Sequence, residues 1–266
     1  MAGPDQSRTL LTPELAKQLA ADIRSRHPID PRFALPMERV AEGEGVRVTY
    51  HRMLLEGALS RTDDGHIIRV RIDSTPNRRR FTVAHELGHL VVERLGLAKL
   101  PARTEFHRTQ SHNAEERFCD AFAAYLLVPG EAIADICNWG TLTIPKLLER
   151  SSNIGASVET LAWRLVEELP GDGGVLWFRY MGKPNDVNNR RLRLDWGVFP
   201  HRKQVFLPKY AAVDSGSALQ SAFASQAFQS ITDFPLRFGS LREARSLLVK
   251  ALGARLMALV KPQDVL

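Results

Sequence analysis

The stretch that decides the fold is FTVAHELGH, residues 81–89. We expect it to be helical, and at 3.6 residues per turn His85 and His89 then lie one turn apart on the same face. Both imidazoles can reach one point in space, and Glu86 lies between them in the sequence. This His-Glu-x-x-His pattern is typical of a Zn²⁺ site with a general base beside it.

The residues around this motif predict a long buried helix. Ser74 or Thr75 can cap its N-terminus, Pro76 suits its first turn, and Gly96 can end it. Most residues between these ends are apolar, namely Phe81, Val83, Ala84, Leu87, Leu90, Val91, Val92 and Leu95. Burying two imidazoles and a carboxylate among them is costly unless a partner replaces the lost water, and a metal ion is such a partner. The alternative is a pair of ordinary core histidines beside a surface glutamate.

A second helix, AEERFCDAFAAYLLVP at 114–129, offers the third ligand. We assign Glu116 to this role because Asp120 follows at i+4, where it can accept a hydrogen bond from the N–H of a ligating imidazole. Glu115 is the alternative ligand and points about 100° away. Either glutamate can instead belong to a solvated helix start. On the face of Glu116, the small Ala123 would let a neighbouring helix come close.

The composition indicates a soluble globular protein. The chain has 266 residues, of which 44% are hydrophobic and 25% are charged. No apolar run is long enough to span a bilayer, and the first ten residues lack the order of a secretory signal. Two cysteines are too few for the disulfide framework of an exported protein. We therefore expect a cytoplasmic protein with no membrane partner.

Alternating residues at 45–51 and 65–73 predict two strands of a small antiparallel sheet ahead of the metal helix. In such a layout the strand at 65–73 can be a sheet edge with unpaired backbone groups. A substrate peptide could then add itself to that edge as another strand.

FTVAHELGH, followed by Glu116 in ERFCDAFAAYLLVP, resembles the ImmA/IrrE family of bacterial zinc metallopeptidases. Residues 71–90 and 113–129 carry the resemblance, and the predicted strand at 65–73 supports it. It implies an α+β chain whose residues 1–130 form a thermolysin-like (zincin) metallopeptidase domain. It also implies that the substrate is a helix-turn-helix transcriptional repressor.

Position by position, the resemblance makes His85, His89 and Glu116 the zinc ligands and Glu86 the catalytic base. Asp120 departs from the family pattern, since many members have Asn there. An acceptor for an imidazole N–H tolerates either residue.

Residues 131–170 are predicted to form a helix-turn-helix-like segment, since 144–169 reads as helix, short turn and helix. In relatives this segment looks like a unit packed on the peptidase, and whether it contacts DNA is open. LPGDGG at 169–174 marks a boundary. Residues 171–266 then read as an α+β domain, which by analogy with relatives is a GAF-like sensor domain. Its predicted elements are strands at 175–181, 191–198 and 204–208, a helix near 216–230 and a final hairpin about Gly253.

The positive charge of the chain is concentrated in this last third. Residues 171–266 contain fourteen Lys and Arg residues against seven Asp and Glu residues. This excess favours single-stranded DNA or another polyanion as an inducer, with plain solvated surface as the alternative.

We therefore expect a zinc-dependent endopeptidase that cleaves a repressor and so switches on a stress, mobile-element or phage-defence regulon. The alternative is a non-proteolytic, zinc-containing module that binds a repressor or DNA. The intact Glu86 favours the enzyme, because a structural zinc site has no use for a base there. The residue that stabilises the oxyanion is not identified, and His107, His112 and Tyr125 are candidates. Cys119 is either a thiolate that blocks the open zinc position or a small buried residue.

Overall fold

The computed structural model describes residues 11–97, 112–183, 185–200, 205, 208, 210–238 and 241–263. These residues form a mixed α+β structure with one sheet of three strands and one of five. The chain divides into two compact units, Met1–Ala134 with Arg150–Leu161, and Asp135–Glu149 with Ala162–Leu266. The predicted boundaries after 130 and 170 stay predictions, and the segment between them is shared by the two units.

The helices of the first unit begin and end at residues with local signals. They are α1 (Pro13–Arg26), α2 (Met37–Gly43), α3 (Pro76–Arg94) and α4 (His112–Leu127). Of the two predicted caps of α3, Thr75 is the one used, and its hydroxyl accepts a hydrogen bond from the Arg78 N–H. Past the end of α3, Gly96 has φ +68°, a left-handed conformation that glycine adopts without steric cost.

The sheet of the first unit contains β1 (Val46–His51), β2 (Gly57–Thr62) and β3 (Gly65–Arg71) in the order β1-β3-β2. β2 pairs antiparallel with β3, whereas β1 pairs parallel with it. The expectation of an antiparallel sheet is therefore wrong, and the sheet is mixed. β2 forms a tight hairpin with β3, which leaves the far side of β3 for β1. The short segment 52–56 joins the end of β1 to the start of β2 at the same end of the sheet, so β1 runs opposite to β2 and parallel to β3.

The prediction that the strand at 65–73 lies at the edge of the sheet is also wrong. β3 is the central strand, and β2 is the edge strand that packs against α3. β2 was missed because GALSRT has no alternation of apolar and polar residues, and most of its side chains are only half-buried. The pairing that makes it a strand comes from β3, so no local signal in 57–62 predicts it.

The core of the first unit lies between α3, α4, α1 and the sheet. α3 packs against α4 along the whole stretch that carries the histidines, and α4 packs in turn against α1. The fully buried side chains of this core include Ile68, Val70, Leu87, Leu90, Phe122 and Leu126. This packing fixes the two helices that carry the candidate ligands.

α5 (Ile144–Ile154) and α6 (Val158–Glu168) are the two helices predicted within 144–169. Ser157 caps α6 by accepting a hydrogen bond from the Thr160 N–H at 3.1 Å. A helix-turn-helix function and a contact with DNA stay predictions. No helix in the described part of the chain is long and apolar enough to cross a membrane.

The second unit contains a five-stranded antiparallel sheet in the order β5-β4-β8-β7-β6. Its strands and its helix are β4 (Gly174–Lys183), β5 (Asp186–Val198), α7 (Ala218–Ser225), β6 (Phe228–Phe238), β7 (Leu241–Leu252) and β8 (Arg255–Val260). The final hairpin turns at Gly253, which has φ +64°. A GAF-like character stays a prediction.

The helix predicted near 216–230 and the strand predicted at 204–208 both belong to the second unit. The predicted helix at 216–230 is too long, because Gln226 adopts a left-handed φ of 54° and β6 begins two residues later. Most of the predicted strand at 204–208 lies outside the described residues, as does most of the predicted loop at 97–113.

Candidate metal centre

α3 and α4 bring together His85, His89 and Glu116. The Nε2 atom of His85 lies 3.3 Å from Oε2 of Glu116, and the Nε2 atom of His89 lies 3.6 Å from Oε1 of the same carboxylate. One ligand atom from each residue lies within 4.8 Å of the other two, so this group could hold a metal ion.

The spacing of these atoms fits a tetrahedral zinc site. Two ligands that each lie about 2.1 Å from a tetrahedral zinc ion are about 3.4 Å apart. The distances from the two imidazoles to the Glu116 carboxylate, 3.3 Å to Oε2 and 3.6 Å to Oε1, are close to that value. Two imidazoles and one carboxylate are also a ligand set that zinc enzymes use.

Two carboxylates on α4 orient the imidazoles from behind. Asp120 Oδ1 lies 2.9 Å from Nδ1 of His85, and Glu115 Oε1 lies 2.7 Å from Nδ1 of His89. Each ring can therefore donate its Nδ1–H to a carboxylate and present Nε2 to a metal. Glu115, which the sequence analysis considered as an alternative ligand or as part of a solvated helix start, lies on this side of the imidazoles.

The role of Glu115 was missed although a signal for it existed. Two ligating histidines need two hydrogen-bond acceptors, and Asp120 can reach only one of them. The position before Glu116 is turned about 100° around the helix, and this turn directs its side chain at the second ring.

Carboxylates also set the charge of His85. Burial opposes its protonation, but the hydrogen bonds to Asp120 and Glu116 outweigh burial and raise the pKa of His85 to about 9. Without a metal, the ring is therefore cationic at neutral pH. A metal ion must displace this proton when it binds.

Gly88 lets the two helices approach closely at the site. A Cβ atom at this position would lie 3.0 Å from Cα of Cys119 and 3.1 Å from its Sγ. Cys119 is fully buried, and burial raises the pKa of its thiol far above the usual range. Cys119 is therefore a small buried residue of the contact between the two helices, and its role as a thiolate that blocks the zinc position stays a prediction.

Glu86 faces the edge strand β2. Its side chain is buried, and it accepts a hydrogen bond from the backbone N–H of Leu59. Burial raises its pKa, against the opposing effects of the two histidines and of this hydrogen bond. At Gly57 a Cβ atom would lie 2.8 Å from Oε1 of Glu86, so glycine allows the strand to come this close.

The outer edge of β2 runs beside Glu86. The carbonyl of Glu56 accepts a hydrogen bond from Arg71 N–H, so Glu56 faces β3. Backbone direction alternates along a strand, and the backbone groups of Gly57, Leu59 and Arg61 therefore point away from β3. The hydrogen bond from Leu59 to Glu86 agrees with this direction.

Polar contacts hold the first turns of α3. The Asn77 amide donates to the Ala156 carbonyl at 3.1 Å, and the Arg80 guanidinium donates to the carbonyls of Gly155 and Leu35. These contacts join the start of the metal helix to the turn before α6, and no sequence motif marked them.

Of the three candidates for oxyanion stabilisation, only Tyr125 has a described side chain. Tyr125 is 8% exposed and belongs to the buried residues of α4. His107 and the side chain of His112 lie outside the described residues.

Comparison with known proteins identifies the first unit. Residues 41–165 match the model of an M78 peptidase family, described as the IrrE N-terminal-like domain. A solved structure of a Mycobacterium tuberculosis transcriptional regulator is similar over 94% of this chain and 76% of that one, with a TM-score of 0.53 and 12% sequence identity. At that identity the likeness shows a shared fold alone. None of the curated proteins matches the sequence.

The family match spans β1–β3, both helices of the candidate metal centre and most of the α5–α6 pair. The resemblance inferred from FTVAHELGH is thereby confirmed at the level of the family. The match of residues 41–165 to the IrrE N-terminal-like domain of the M78 peptidases supports membership of the ImmA/IrrE family.

Proposed function

We propose that this chain is a zinc-dependent endopeptidase that cleaves a helix-turn-helix transcriptional repressor. Cleavage would switch on a stress, mobile-element or phage-defence regulon. The observation that carries the proposal is the placement of Glu86 beside three side chains whose ligand atoms lie close enough together to hold one metal ion. The family match supports peptidase activity. The fold shared with a protein described as a transcriptional regulator is compatible with a role in gene control.

His85, His89 and Glu116 would hold the zinc ion, and three protein ligands leave one position for water or substrate. When bound, zinc lowers the pKa of a water molecule and polarises the substrate carbonyl. Glu86 accepts the proton of the attacking water and then donates it to the leaving amine. Burial raises its pKa, which favours the uptake of a proton from the attacking water.

The substrate peptide would lie along β2. The outward backbone groups of Gly57 and Arg61 and the outward carbonyl of Leu59 can pair with an extended peptide. Because Leu59 donates to Glu86, a peptide on this edge passes beside the base. This is the edge role that the sequence assigned to 65–73, transferred to the strand that forms the edge.

The Glu86→Gln variant tests the mechanism. It keeps the shape of the side chain but removes the base, so we expect full zinc content and a loss of repressor cleavage of at least about 100-fold. The substrate is a helix-turn-helix repressor encoded beside this chain, and the product is followed by mass spectrometry. Glu93→Gln is a matched control, since Glu93 lies on the same helix and bonds to His66.

Cleavage of the repressor by Glu86→Gln at the wild-type rate would refute the role of Glu86 as the base. A wild-type protein that holds zinc and cleaves no repressor under any inducing condition would favour the non-proteolytic binding module.

We also propose that residues 171–266 regulate the peptidase and respond to single-stranded DNA or another polyanion. The support is the excess of Lys and Arg in this part of the chain. Exposed cations are concentrated on the β4–β5 hairpin, where the Arg190 guanidinium lies 5.4 Å from the ring of Tyr180. The bases of single-stranded nucleic acids stack on aromatic side chains, and arginine adds cation–π contacts.

A further inference from the structure

The loop between β1 and β2 exposes large apolar side chains. In this loop, residues 52–56, Leu54 is 97% exposed and Leu55 is 40% exposed. Ile72, which is 45% exposed, lies at the same end of the sheet, because its N–H donates to the His51 carbonyl. A single exposed leucine is ordinary, but three exposed aliphatic side chains at one end of a small sheet form a patch.

The base of the loop is firmly held. The Glu56 carbonyl accepts a hydrogen bond from Arg71 N–H at 2.9 Å, and its carboxylate accepts one from the Ser74 hydroxyl at 2.6 Å. Arg78 lies 3.5 Å from the same carboxylate. These contacts fix the loop where it meets the sheet and α3. Less conformational entropy is therefore lost when a partner packs on the leucines.

The loop leads directly into the candidate active site. Leu55 is two residues before Gly57, and two residues of extended chain span at most about 7 Å. Gly57 in turn lies against Glu86. A polypeptide that lies along the edge of β2 and passes Glu86 therefore reaches the exposed leucines within a few residues.

We propose that residues 52–56 are a docking surface for apolar side chains of the repressor substrate. The inference rests on the proposed function and adds a specificity-determining contact to it. The occupant follows from continuity, because the loop extends the strand edge along which the substrate would pair. If the substrate runs antiparallel to β2, the segment beside the loop is the one on the C-terminal side of the scissile bond.

The variant Leu54→Ser/Leu55→Ser tests this surface in the full chain. We expect KM for repressor cleavage to rise at least about 10-fold, since each leucine side chain that is removed from water on binding increases the affinity about 10-fold. We expect kcat to stay within about twofold, because the contact is the same in the ground state and the transition state. Zinc content should not change, and the melting temperature should fall only slightly, since Leu54 is 97% exposed and only the partly covered Leu55, at 40% exposure, loses contacts.

Phe33→Ser/Leu95→Ser is the matched control, because these residues are 60% and 45% exposed in the same unit and lie outside the loop. A second measurement uses Glu86→Gln protein, which binds the repressor without cutting it. There the two loop substitutions should raise Kd by a factor similar to the rise in KM, and the control pair should not.

The possible outcomes separate the two proposals. If wild type cleaves the repressor and the loop variant matches it in KM and Kd, the docking surface is overturned and the proposed function stands. If the control pair has the same effect as the loop pair, the docking surface is also overturned. If wild type cleaves no repressor, the proposed function fails and the docking inference fails with it.

Discussion

Replacing Glu115 and Glu116 in turn by alanine separates a metal ligand from a residue that orients a ligand. Glu116 approaches the Nε2 atoms of both histidines, at 3.3 and 3.6 Å, whereas Glu115 lies 2.7 Å from Nδ1 of His89. We expect Glu116→Ala to lose zinc on dialysis, because only two protein ligands remain. His85→Ala and His89→Ala should lose it for the same reason.

Glu115→Ala should keep about one zinc ion per chain but bind it 10- to 100-fold more weakly, which is the usual effect of removing a hydrogen-bond partner of a ligating histidine. That range corresponds to about 1.4 to 2.7 kcal/mol. Asp120→Ala should have a smaller effect, because its side chain is 61% exposed, against 18% for Glu115. Glu115→Gln should recover much of the affinity, since its amide oxygen still accepts the Nδ1–H.

The assay is a zinc competition titration against a chromophoric chelator, with metal analysis of the dialysed protein. The expected order of loss is Glu116, then Glu115, then Asp120. Full zinc in Glu116→Ala together with loss of zinc in Glu115→Ala would refute the ligand assignment and make Glu115 the third ligand.

Two further predictions concern the helix contact and the second unit. Gly88→Ala should weaken zinc binding and lower the free energy of unfolding by about 1 kcal/mol, because overpacking against Cys119 costs about 1–3 kcal/mol and the better helix propensity of alanine offsets at most about 1 kcal/mol. The same titration measures the zinc affinity, and urea unfolding measures the stability. An unchanged zinc affinity would contradict this prediction. The full chain should bind single-stranded DNA with an affinity that falls as salt rises, and Arg190→Gln/Arg191→Gln should reduce the slope while Lys17→Gln/Arg47→Gln should not. Binding that does not depend on salt, or an equal dependence of affinity on salt in both double variants, would argue against the β4–β5 hairpin as the DNA-binding surface.

What the sequence predicted well depends on neighbours along the chain. The start of α3 at Thr75 and Pro76 and its end near Gly96 are set by capping and by backbone conformation, which act within one turn. The spacing of His85 and His89 follows from helix geometry alone. These features survive in any fold that keeps the helix, so they could be predicted without knowing what packs against it.

What the sequence did not predict depends on partners distant in the chain. β2 is a strand because β3 pairs with it, and GALSRT by itself carries no strand pattern. Its position at the edge, beside Glu86, follows from the hairpin with β3 and not from the order of elements. The end of α7 at Gln226 has a similar cause in part, since the amide of this left-handed glutamine donates to the Phe223 carbonyl and also to the distant Gly253 carbonyl.

The division of roles between Glu115 and Glu116 also depends on a distant contact. The two residues are neighbours in sequence and differ by about 100° around α4, so the rotation of α4 about its own axis decides which of them faces Nε2 and which faces Nδ1. That rotation is constrained where Gly88 meets Cys119, three residues after His85 and directly before His89. A methyl group added at Gly88 would therefore displace both carboxylates of α4 at once. The geometry of the candidate metal centre thus depends on the contact between Gly88 and Cys119, although neither residue is among the three side chains that could hold the ion.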